Sequence, residues 1–262
     1  MTPPDGTDVG ALDQAAARRL LTLWNDQQSA YVAHHDLRFE AMLDVVRLHS
    51  PEDLTLLDLA CGPGAISDRV LAEFPRATAV AVDYDPILLR VARGALERYE
   101  PRAEVHDVDL VADGWEKALA GRSVDAVLTS TALHWLAPEQ LLRVYTTVAR
   151  MLPLGGVLLN ADHLRYDEST PTLRDIARRH DAQVQQETFA AGALTYSAWY
   201  AEAARHPELA ELVVQREQRF ADRPPQALAS LDFHLAALRT AGFAEVGTVW
   251  QYLDDYVVFA RR

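Results

Sequence analysis

The sequence predicts an α/β fold: a doubly wound, mostly parallel sheet of seven strands, with helices ahead of it and a helical insertion late in the chain. Three observations carry this expectation. From Thr55 to about residue 160, short apolar runs alternate with amphipathic segments. Such alternation makes parallel strands joined by right-handed crossovers, covered on both faces. The first run, Leu56-Leu57-Asp58-Leu59, ends in the glycine-bearing turn Ala60-Cys61-Gly62-Pro63-Gly64, and the next, Val80-Ala81-Val82, ends in Asp83, 21 residues after Gly62.

The elements follow in chain order. Residues 1–10 are rich in Pro, Gly and Asp and read as a frayed end. From 11 to 49 apolar residues recur at helical spacing (Leu20, Leu23 and Trp24, then Phe39, Met42, Leu43 and Val46), giving two helices expected to cover a ligand cleft. A strand at 55–59 leads to a helix over 65–74, and a strand at 78–82 to Asp85-Pro86, a cap and first-turn pair that opens a helix to about 99. Strands at 103–108, 126–129 and 157–160 complete the alternation, with a short helix near 115–119 and a longer one from Pro138 to 152. Over 164–230 the alternation stops, and a helix-prone stretch with a Pro224-Pro225 break suggests a lid. A helix at 231–241 and two strands, 245–252 and 256–260, close the chain. The expected division is a helical cap at 1–50, a core at 51–163, the lid at 164–230 and a completion of the core at 231–262.

Composition narrows the partners. The chain has 262 residues, 49% of them hydrophobic, enough for one α/β domain with an insertion. Its 25 basic residues stand against 38 acidic ones, for a net charge of −13, and no basic cluster is interleaved with aromatics. Gripping a phosphate backbone needs the opposite balance, so nucleic acid is not expected as a partner. The apolar runs are too short to span a bilayer, no secretory leader is evident, and the one cysteine cannot form an internal disulfide. A cytoplasmic protein is expected, without a membrane partner and with its oligomeric state open.

The glycine turn and the acid at the next strand tip suit a nucleoside, since glycine admits close backbone approach and a carboxylate accepts from both ribose hydroxyls. A dinucleotide site needs a third glycine, where this chain has Ser67. It also tolerates poorly an acid such as Asp58 beside a pyrophosphate. That acid suits a ligand carrying an ammonium and a sulfonium. At these residues the chain resembles the class I S-adenosylmethionine (SAM)-dependent methyltransferases. Residues 57–64 resemble their first motif, 82–86 the second, 103–110 the third strand, 123–136 the fourth strand and its loop, and 152–159 the approach to the fifth. Ala60 stands where that family usually has glycine.

The resemblance implies a Rossmann-like methyltransferase fold, with the last strand inserted between the fifth and sixth, and SAM as cofactor. Its expected contacts are Asp58, Ala60, Cys61, Gly62 and Gly64 around the turn, Asp83 and Tyr84 after the second strand, and Asp109, near the adenine amino group, with Leu110 after the third. Ser130 follows the fourth, and Tyr31 and Arg38 would close over the methionine carboxylate. His134 and His163 are the candidate general bases, imidazole in general titrating near neutrality; His134 could equally cap a helix or bind a carbonyl. The Leu133-His134-Trp135-Leu136 run resembles a loop of plant carboxyl methyltransferases, in which a tryptophan and an N-terminal glutamine hold a carboxylate. Trp135 and either Gln27 or Gln28 would play those parts, Gln28 being the substrate contact expected here, with Trp199 of the lid as a further acceptor contact. The fourth strand ends in Thr129-Ser130, which gives Asp162 no acidic partner for a metal, so a metal-independent transfer to oxygen of a small molecule is expected. Transfer to nitrogen or carbon, or SAM binding without transfer, are the alternatives.

Overall fold

The computed structural model describes residues 11–119, 121–226 and 229–262; the frayed end expected at 1–10 lies outside them. Two helices, α1 (Gln14–Ser29) and α2 (His35–His49), precede the sheet. The alternating core is β1 (Thr55–Leu59), α3 (Ala65–Glu73), β2 (Thr78–Asp83), α4 (Pro86–Leu96), β3 (Ala103–Asp107), β4 (Ala126–Ser130), α5 (Pro138–Met151) and β5 (Val157–His163). Then come α6 (Pro171–Ala190), α7 (Tyr196–Ala203), α8 (Pro207–Ala210), α9 (Leu212–Phe220), α10 (Leu231–Ala241), β6 (Glu245–Tyr252) and β7 (Asp255–Arg261).

The seven strands lie in the order β3-β2-β1-β4-β5-β7-β6. The first five are parallel, and β7 runs antiparallel between β5 and β6. This is the strand order that the resemblance implies, with the last strand inserted between the fifth and sixth. Alternate residues of each central strand face opposite layers. Leu57, Val80, Val127 and Leu158 pack with Val144 and Tyr145 of α5 and Leu238 of α10. Leu56, Ala79, Leu128 and Leu159 pack instead with Met42 of α2 and Val70 of α3. A third cluster joins Leu20 and Leu21 of α1 to Val91 of α4, Trp199 of α7 and Leu209 of α8.

Local chemistry sets the joints. Asp85 caps α4 by accepting from the amides of Ile87 and Leu88, with Pro86 in the first turn. Strand β5 runs three residues past the expected end at Asn160, to His163, and all seven of its residues are buried. Its polar residues are partnered inside: Asn160 donates to the Tyr145 hydroxyl, and Asp162 accepts from His134. The extension places His163 opposite Asp255 in the β5–β7 register.

Candidate active site

The order of strands reverses direction between β1 and β4, and open sheets of this kind bind ligands outside the carboxyl ends of strands at such a point. A cleft of about 540 Å³ lies there. Its floor is Ala60, Cys61 and Gly62 after β1, Asp83 and Tyr84 after β2, Asp109 and Leu110 past β3, and Ser130 at the end of β4. All eight were expected cofactor contacts, and the topology brings them together from four strand ends.

Gly62 has φ +56°, and a Cβ there would meet only the Trp24 ring, 3.9 Å away, so this stretch of backbone is open to the cleft. The Asp83 carboxylate organises the turn, accepting from the amides of Gly62 (2.8 Å), Tyr84 (2.7 Å) and Asp85 (2.8 Å). Burial pushes its carboxyl up to about 6, against those three hydrogen bonds. Asp58 is fully buried beneath the turn. Its Oδ2 accepts from the amide (2.9 Å) and hydroxyl (2.7 Å) of Ser67, while its Oδ1 has no partner. Burial pushes this carboxyl up to about 7. A buried carboxylate oxygen left without a donor is costly, and an ammonium group, directly or through water, would satisfy it. These residues fit SAM.

Several expected contacts lie elsewhere. Gly64 does not line the cleft. It caps α3 at φ +92°, where an added Cβ would sit 3.1 Å from Leu96, so its smallness serves helix packing. Tyr31 lies past the end of α1 and faces the insertion; its hydroxyl accepts from the Tyr196 amide and its ring meets Phe189. Arg38 is buried one layer behind the cleft, donating to Ser130 (2.9 Å) and standing 4.0 Å from Asp255. Trp199, expected against the acceptor, is wholly buried. Its indole N–H donates to the Leu20 carbonyl (2.9 Å), and its ring packs on Trp24, so it belongs to the core joining α7 to α1.

Ala60 occupies the left-handed region at φ 57°, which explains the glycine usual at this place. Thr131, just after β4, is also left-handed at φ 49°, unusual for a β-branched residue, and it lines the cleft.

The side of the cleft expected to take the acceptor is lined by the loop after β4. Trp135 lines it, half exposed at 51%. His134 is buried just behind, its ring 5.4 Å from that of Trp135 and its Nδ1 2.6 Å from Asp162 Oδ1. Asp162 also accepts from the amides of His134 and His163. Burial alone would raise the Asp162 carboxyl, but His134, His163 and Arg38 outweigh it and hold it at about 2. His163 pairs with Asp255, away from the cleft. Gln28 lines the cleft, but its amide is engaged at both ends, Nε2 donating to Gln27 and Oε1 accepting from Thr131.

The insertion supplies contacts that sequence reasoning missed. Arg216 pairs with Asp85 (2.5 Å), Arg219 with Asp107 (2.7 Å) and Arg223, just past α9, with Asp109 (2.6 Å). Phe220 and Tyr84 meet at 5.6 Å, and Arg219 and Arg223 lie over the Tyr84 ring. The spacing 216, 219 and 223 puts the arginines on one side of the segment, a signal present in the sequence, but the acids they meet lie over 100 residues away.

A glycine turn, a buried acid at the tip of the next strand and a cleft at the switch point make this an α/β domain with the features the resemblance implies. Residues 56–156 match the methyltransferase domain family. Over that stretch the chain is similar to SAM-dependent methyltransferases, in line with the resemblance its motifs carry. It is 33% identical over 151 residues to trans-aconitate 2-methyltransferase of Azoarcus sp. (strain BH72), a match covering 57% of this chain and 54% of that one. The chain thus spans about half the length of that relative. Human N-acetylserotonin methyltransferase, solved in complex with SAM, shares the fold at a TM-score of 0.53 and 13% identity, over 95% of this chain and 56% of that one. An O-methyltransferase family 2 protein from Planctomyces limnophilus, in complex with apigenin, has a TM-score of 0.53 and 18% identity, over 88% and 66%. Among the described residues no helix is long and apolar enough to cross a membrane, and no three His, Cys, Asp or Glu side chains gather as a metal site.

Proposed function

We propose that this chain methylates an oxygen atom of a small-molecule acceptor, without a metal ion. When bound, SAM supplies an electrophilic methyl group on a sulfonium. Asp83 would accept from the ribose hydroxyls and Asp109 from the adenine amino group, while Gly62 lets the backbone come close. Asp58, under the turn, would face the ammonium. Arg38 acts through Ser130 as a positioning residue, and the helices of the insertion act as the lid.

The observation that carries the oxygen reading is the His134–Asp162 pair behind the acceptor wall. An ionised Asp162 accepts from Nδ1–H, which sets the tautomer and leaves Nε2 as the basic nitrogen. A base so oriented can take the proton of a hydroxyl acceptor; a carboxylate acceptor would not need it. Both oxygens of Asp162 are already used by His134 and by two amides, which supports chemistry without a metal. Holding the acceptor against the methyl group supplies the rest, about 7–11 kcal/mol in the best cases. The net charge of −13 supports a small acceptor over a nucleic acid.

Calorimetry with S-adenosylhomocysteine, followed by labelled SAM and an acceptor panel, tests this. Binding that collapses in Asp83→Ala supports the cofactor site. His134→Gln is expected to lower kcat at least a hundredfold, with KM little changed and the acidic limb of the pH–rate profile lost. A uniform loss of stability with an unchanged profile would make His134 a structural residue only.

A further inference from the structure

We infer that the acceptor is an uncharged, planar aromatic molecule bearing a hydroxyl group, and that polycarboxylates are excluded from this cleft. The inference rests on the methyl-transfer reading above and concerns the acceptor half of the same site.

The first argument is the state of the polar side chains on the wall. Thr131 Oγ1 donates to Gln28 Oε1 (3.2 Å), and Gln28 Nε2 donates to Gln27 (2.9 Å). Gln140 Oε1 accepts from the Ala137 amide (2.8 Å), Ser130 Oγ accepts from Arg38 (2.9 Å), and Asn25 Oδ1 accepts from Arg69 (3.4 Å). Each of these five side chains therefore has at least one polar atom already engaged within the protein. A ligand with many polar atoms would lose its water and regain few partners.

The second argument is charge. Among the described residues the cleft-lining cations are Arg216, Arg223 and His35. Arg216 and Arg223 are each paired with a carboxylate that also lines the cleft, Asp85 and Asp109. Burial, with Arg38 and Arg69 nearby, lowers the His35 imidazole to about 4, so it carries no charge at neutral pH. Asp83 adds a third acid. Among the described residues a carboxylate entering here meets no protein cation that is not already neutralised, and desolvating it without one costs several kcal/mol, on the order found for unpaired buried ions. The first half of the carboxylate grip suggested by Gln28 and Trp135 is weakened, because Gln28 already donates one of its two N–H bonds to Gln27 and its oxygen accepts from Thr131.

What the wall does offer is flat apolar area. Trp24 and Phe39 from the N-terminal helices and Trp135, Leu136 and Leu133 from the loop after β4 line the cleft. Trp135 leaves half its surface open, and tryptophan is rarely so exposed unless a partner covers it. A ring stacked on Trp135 would bring a hydroxyl toward the side where His134 stands.

The test uses the S-adenosylhomocysteine-loaded protein, titrated with 2-naphthol and with tricarballylate at 0.05 M and 0.5 M NaCl. Expected are 2-naphthol binding that is insensitive to salt and about tenfold weaker in Trp135→Ala, and no tricarballylate binding. Salt-sensitive tricarballylate binding would overturn the inference. So would failure of 2-naphthol to bind, or equal binding by Trp135→Ala, in protein that still takes up S-adenosylhomocysteine. If S-adenosylhomocysteine itself does not bind, the methyl-transfer reading falls, and this inference with it.

Discussion

At the residue scale, the turn after β1 shows how much one side chain can decide. Ala60 holds a left-handed conformation that disfavours any Cβ. Ala60→Gly is therefore expected to stabilise the protein by about 1 kcal/mol, less the added freedom of the unfolded chain, as read by urea denaturation. Ser67 stands where a dinucleotide site would have its third glycine, and its amide and hydroxyl both serve Asp58. The sequence made Asp58 and the missing glycine visible but not their connection, since a bond spanning nine residues across a turn has no periodic signature. With the Asp58 carboxyl raised to about 7, its charge is partly lost in mildly acidic solution. Affinity for S-adenosylhomocysteine, which bears an ammonium group, is expected to rise from pH 6 to pH 8, and Asp58→Asn to flatten that rise. A calorimetric pH series in both proteins checks this.

At the element scale, α7 and α9 behave oppositely. Helix α7 is anchored by Trp199, fully buried against α1. Trp199→Ala is expected to cost about 3–5 kcal/mol, seen as a lower denaturation midpoint, with little direct effect on acceptor binding. No residue of α9 is buried, and the helix is held by ion pairs with the tips of β2 and β3. Partly exposed pairs contribute about 0–1 kcal/mol each and weaken in salt. Hydrogen exchange in α9 is therefore expected to quicken between 0.1 M and 1 M NaCl, while α4 and the central strands stay protected. Equal protection of α9 in both conditions would show that packing, not charge, holds it. The alternating core was legible because strands and helices bury opposite faces with different periods. The insertion was legible only as helical. Trp199 and Tyr31 looked like ligand contacts because an aromatic side chain carries no mark of whether it faces a cleft or another helix.

At the scale of the whole molecule, two sets of carboxylates oppose each other in pH. Asp58 and Asp83 are raised to about 7 and about 6 by burial. The folded protein therefore holds their protons where the unfolded chain has released them, and stability contributed by the protonated forms is lost as pH climbs from about 4 to 7. Asp162 is held at about 2, so its contribution is present above about 4 and disappears as pH falls through 2. Without ligand, the denaturation midpoint is expected to decline from pH 5 to pH 8, and saturating S-adenosylhomocysteine to reduce that decline. A midpoint that rises over the same range would show that other groups dominate.

By itself the sequence determined the order of elements, the parallel core, the glycine turn with its two acids, and thereby the methyltransferase resemblance. Those features rest on local spacing and on periods of two and 3.6 residues, which a linear chain displays. Only the tertiary structure decided which polar side chains are free. Gln28 is tied to Thr131 across 103 residues, Asp109 to Arg223 across 114, and His134 to Asp162 across 28. Whether a side chain meets a ligand or another part of the protein depends on partners that folding brings near, and no local pattern encodes them.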